Sequence, residues 1–163
     1  MKFMNFNINY VPTDIITSWK RASLSSDFCS LILDENNKKT ESTLSTLVNE
    51  LIEFSIKHGM NKSAQYGLSF KKKDTIIEVS SKLFLISQQI NLFKCYIKKI
   101  RQIETSSDFQ NILFSSEFSE LGFSIYSLIN SYNGSISITE ETNNKNSFNE
   151  ANITIKLDTK EIK

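Results

Sequence analysis

The chain has 163 residues, enough for one domain (1–163) with a real core and too few to suggest two. Its 39% apolar and 23% charged residues are ordinary for a soluble globular protein. Nineteen Lys plus Arg stand against 18 Asp plus Glu, so no global field draws the chain to nucleic acid, and no apolar run reaches the roughly 20 residues of a membrane span.

Residues 4–10 set Met4, Phe6, Ile8 and Tyr10 against alternating asparagines, the period of a half-buried strand. The same stretch lacks the unbroken apolar core of a signal peptide. Pro12 ends it. Thr13 or Asp14 then caps a helix with Ile15, Ile16 and Trp19 at helical spacing, and a second helical stretch with Leu24, Phe28, Leu31 and Ile32 runs to the turn-like DENNKK. The cleanest helical stripe follows in Leu44, Leu47, Val48, Leu51 and Ile52, with Ser55 continuing it and Gly59 as a stop. Strands are predicted at 66–70 and 75–79, joined by KKKD. Leu83, Ile86, Ile90, Phe93, Ile97 and Ile100 then mark a long amphipathic helix. A serine-rich stretch, 105–118, contains the helix-like DFQNILF. A helix in ELGFSIYSLINSY and strands at 135–139 and 152–157, flanking the polar loop TNNKNSFN, complete the pattern. This order predicts an α+β fold, a two-layer α/β sandwich with a mixed, mostly antiparallel sheet and helices on one face.

Cys29 and Cys95 have no metal-ligand spacing, and the single histidine makes a zinc site a poor fit. Both thiols are expected to be free and buried, in a reducing cytoplasm. The basic runs 71–73 and 98–101 read as a solvated turn and a solvated helix face. In NELIEFSIKHG (49–59), Glu50 stands one turn from Phe54, and Glu53 one turn from Lys57. Taken alone, Glu50 is a partly exposed helical carboxylate, Glu53 and Lys57 an i,i+4 pair, and His58 a partner for the helix dipole. No G-x-S-x-G and no serine beside the histidine suggest a serine nucleophile.

Two separated segments carry a resemblance. ELIEFSIKH (50–58) resembles the N-box of the histidine-kinase-like ATPase superfamily, E-L-x-x-N-A-x-K-H. LGFSIYSLINSYNGSISI (121–138) resembles its second glycine box, with the following helix and strand. SWKRASLSSDFCSLI and STLSTLVNELIEFSIKHG together resemble small stand-alone bacterial regulators of that superfamily, the SiaB-like and anti-sigma-factor kinase type. The resemblance implies a Bergerat-type fold and gives Glu50 the place of the carboxylate that polarises a nucleophile. Phe54 takes the place of the magnesium-binding asparagine. Lys57, His58, Leu121 and Gly122 take positions near the nucleotide phosphates.

The departures are chemical. Magnesium needs oxygen ligands, and phenylalanine offers none. Glu120 stands where the first lid glycine belongs, adding a side chain and a negative charge. A D-x-G-x-G motif should follow 75–79, and the chain reads SSKLFLISQQ instead. The resulting expectation is a cytoplasmic bacterial regulator, a degenerate ATPase domain or pseudokinase, acting by protein contact in a partner-switching pathway. It has no cofactor and no metal. Its partner is a regulatory protein of the STAS-domain kind, and a homo-oligomer is compatible with it. The alternative is an active serine protein kinase that uses ATP and magnesium, with Glu50 catalytic.

Overall fold

A computed structural model describes residues 3–16, 20, 23, 26–27, 38–103, 105–115, 118, 121–131, 134–141 and 147–160. Trp19, Arg21, Phe28, Cys29, Glu120 and most of the second helical stretch lie outside the described residues.

Five strands, β1 (Phe3–Tyr10), β2 (Tyr66–Lys73), β3 (Ile76–Leu85), β4 (Ser135–Glu141) and β5 (Asn149–Asp158), form one sheet in the order β1-β2-β3-β5-β4. Every neighbouring pair is antiparallel, so the sheet is not mixed. The pleat sorts the side chains by face. Tyr66, Leu68 and Phe70, then Ile77, Val79, Leu83 and Leu85, and then Ala151, Ile153, Ile155 and Leu157 are buried on one face. The other face carries mainly Asn, Ser, Thr, Lys and Glu, with Phe3, Ile76 and Phe84 among them, and Lys71 and Lys156 are both paired to Glu78 across strands.

The helices cover the apolar face: α1 (Pro12–Ile16), α2 (Lys38–His58), α3 (Ser87–Arg101), α4 (Ser106–Ser115) and α5 (Gly122–Ser131). The α1 helix begins on Pro12, not after it, since the fixed φ of proline suits a first helical residue and its missing N–H is not needed there. The α2 helix runs to Gly59, where an added Cβ would collide with the Tyr66 hydroxyl, so the stop is also a close packing point. The turn between β2 and β3 is shorter than KKKD suggested. Residues 71–73 stay in β2, and the reversal falls at 74–75, with Asp74 at φ 55. A left-handed aspartate at a two-residue hairpin turn matches the twist of the strands.

Two expectations need correction. Leu83 belongs to β3 and not to the following helix, because alternation runs unbroken to Leu85 and the helix starts only at Ser87. Cys95 is exposed. The stripe of α3 is Ile90, Phe93, Ile97 and Ile100, and a residue two places after Phe93 is turned about 200° from it.

Candidate functional site

The residues singled out by sequence gather where α2 meets α3, α5 and the turn that carries Phe118. Leu47, Val48, Leu51, Ile52 and Ser55 face the sheet side of α2 as predicted, yet Phe54 is also fully buried, on the flank that carries Glu50. That flank is covered because α5 packs against α2. The Phe54 ring lies 5.1 Å from Phe93, 5.7 Å from Phe118 and 4.7 Å from His58, centroid to centroid. Phe93 and Phe118 meet edge to face at 5.4 Å. Such tilted and edge contacts suit the quadrupoles of the rings.

His58 therefore does not serve the helix dipole at neutral pH. Burial first, and then the charges of Lys57 and Lys62, lower its pKa to about 4, so the ring is neutral among the aromatics. Lys57 itself is exposed, as is Glu53. Leu121 and Gly122 are buried at the start of α5, and no described glycine takes a positive φ, so Gly122 makes no use of the freedom that a lid glycine supplies.

Glu50 is the perturbed group. Its Oε2 is buried without a hydrogen-bond partner among the described residues, while the residue as a whole is half-buried, as its helical position suggested. Burial raises its pKa to about 7. The hydroxyl and main chain of Ser124 on α5 offset part of that shift, and the charge of Glu53 adds to it. Tyr96 of α3 faces the same carboxyl. Burial, and then the Glu50 charge, push its phenol up to about 12. A shallow groove of about 120 Å³ opens between α2 and α5, lined by Ser42, Thr43, Thr46, Ser124 and Ser127. Its described lining offers hydroxyls and no basic side chain.

Neither family models nor curated protein sequences match the chain. Among solved structures, a chain in the crystal structure of the SiaB-SiaC complex from Pseudomonas aeruginosa matches with a TM-score of 0.60 at 8% identity, covering 94% of this chain and 88% of that one. The two chains share a fold. At that identity the likeness concerns architecture, and the roles of side chains rest on the geometry here.

The segment after Val79 is the end of a strand and the start of a helix. Ser80 to Leu85 continue β3, and Gln89 beyond them ties two helices together. Its Oε1 accepts from the Ile86 N–H at 3.2 Å, and its Nε2 donates to the His58 carbonyl at 3.3 Å. Sequence reasoning missed Phe93, Tyr96, Phe118 and Ser124 as parts of this site. Phe93 was visible as a stripe residue. Phe118 sits in a serine-rich segment without periodicity, so no local signal marked it.

Proposed function

We propose that the chain is a single degenerate histidine-kinase-like ATPase domain that regulates a signalling pathway by binding another protein, without turning over ATP. The observation that carries this reading is the burial of Phe54 among Phe93, Phe118 and His58. The family resemblance puts metal and phosphate at that place, and a packed aromatic cluster leaves no room for either. The donor set agrees. Magnesium takes hard oxygen ligands, and position 54 supplies a ring. Among the described residues no three His, Cys, Asp or Glu side chains gather as a metal site. The shared fold with a protein solved in a two-protein complex supports a protein partner, and the resemblance points to a STAS-domain regulator in a partner-switching circuit of a bacterial cytoplasm. No described helix is long and apolar enough to cross a membrane.

One observation favours a second reading, an active serine protein kinase acting on such a partner with ATP and magnesium. A carboxyl raised to about 7 is matched to general-base work near neutral pH. Thermal unfolding with magnesium and ATP separates the two. A ligand at about 100 times its Kd adds about 2.7 kcal/mol, or roughly 5–10 °C for a chain of this size. No shift is expected. A shift of that size would overturn the pseudokinase reading and install the kinase.

A further inference from the structure

We propose that the end of the sheet carrying the β2–β3 hairpin docks on an anionic phospholipid surface. The two basic runs, 71–73 and 98–101, are distant in sequence and meet at that end. Lys71 reaches Glu78 on β3 at 3.2 Å, and Lys156 on β5 reaches the same carboxylate at 3.0 Å. Lys156 stands opposite Ser135 on β4, and next along that strand the Ile136 carbonyl accepts from Arg101, the last residue of α3, at 2.8 Å. The final turn of α3, with exposed Lys98 and Lys99, therefore lies at the same end. Lys160, exposed just past β5, adds a further cation. The formal charge of +1 for the whole chain conceals this grouping, because Glu140, Glu141 and Glu150 sit at the opposite end of the sheet.

Charge alone would suit nucleic acid equally well, and the apolar side chains select a bilayer. Strand register sets Phe3 opposite Lys73, and Lys73 opposite Ile76, on the open face of the sheet. With neighbouring strands about 4.8 Å apart, Phe3 and Ile76 flank the lysine at about 10 Å from one another. Phe3 is 64% exposed and Ile76 43%. A phosphodiester backbone gives neither of them an apolar contact. The headgroup region of a bilayer buries apolar side chains while its phosphates meet the surrounding lysines, whose flexible stems let the charges stay at the polar level. The acids of these segments are fewer than the cations. Glu78 is held between Lys71 and Lys156, and Asp158 accepts the Lys160 main-chain N–H at 3.0 Å. Asp74, exposed at the tip of the hairpin, is the residue that opposes docking.

Co-sedimentation of the full chain with vesicles tests this, with phosphatidylglycerol and phosphatidylcholine in equal parts set against phosphatidylcholine alone. Binding is expected to the anionic vesicles only, and it should weaken as salt rises. Lys73→Gln on the hairpin and Lys99→Gln on α3 should each weaken it about fivefold, and the pair by about the product. Phe3→Thr combined with Ile76→Thr should weaken it about tenfold or more at unchanged charge. Asp74→Asn keeps a residue suited to the φ of 55 and should tighten binding about fivefold, a gain that damage to the fold would not produce. Every replaced residue is exposed, so the variants are expected to melt close to the parent chain. A chain that ignores the anionic vesicles overturns the proposal. Binding that only one of the two lysines affects overturns it too, since the basic runs would then share no surface. Binding to a DNA duplex as tight as to the vesicles, and indifferent to Phe3 and Ile76, makes this end a nucleic-acid surface and overturns it as well.

Discussion

The Phe54 ring touches three other rings and has no exposed surface, so its removal is felt by more than one element. Phe54→Asn is expected to lower the unfolding free energy by about 3–5 kcal/mol, from the lost burial and the cavity left behind, with a further cost for an unpaired amide. Urea denaturation measures this, and a loss under about 1 kcal/mol would mean that the cluster does not depend on the ring. The variant is also expected not to bind magnesium-ATP, because one amide oxygen does not rebuild the glycine loops that the chain lacks. Phe54 was legible in the sequence as an apolar residue at a polar motif position. The environments of its neighbours were not. Glu50 read as a partly exposed carboxylate and His58 as a partner for the helix dipole; both are half-buried, and burial pushes the carboxyl up to about 7 and the imidazole down to about 4.

The α2 helix carries most of the packing between layers. Leu47 and Leu51 are each fully buried against the sheet. Leu47→Ala and Leu51→Ala should each cost about 2–5 kcal/mol, the range for truncating a buried leucine whose site cannot collapse. A loss below about 1 kcal/mol at both would place the face wrongly. Alternation and the 3.6-residue period located most described elements, because each strand or helix buries one face and its own sequence records that face. The errors fell at ends. β3 runs six residues beyond Val79, and α3 starts at Ser87, since an apolar run there is equally readable as the end of a strand or the start of a helix. Phase within a helix decided Cys95, which composition alone had placed in the core.

At the scale of the molecule, Glu50 and His58 pull stability in opposite directions with pH. The raised carboxyl contributes fully below its ordinary value of 4.5, and that contribution is lost as pH rises through about 7. The depressed imidazole contributes fully above 6.5 and is lost as pH falls through about 4. Between roughly pH 4.5 and 6.5 the two oppose each other. Above that window the last part of the Glu50 loss continues, roughly 1 kcal/mol out of a total on the order of 3 kcal/mol for a carboxyl shifted this far. The protein should therefore lose stability between pH 6.5 and 8, and Glu50→Gln should remove most of that fall. Denaturation midpoints across this range decide it, and equal slopes for the two proteins would show that the Glu50 carboxyl is solvated.

The sequence by itself determined the α+β layering, the strand at 4–10 and the α2 stripe, because these depend on residue type and local period. Tertiary structure alone decided the order β1-β2-β3-β5-β4, which leaves an uncharged strand at an edge. It also decided which rings surround Phe54, and that one carboxylate oxygen of Glu50 is buried. Strand order and the polarity around a side chain come from segments far apart in the chain, and no local period encodes which of them will meet.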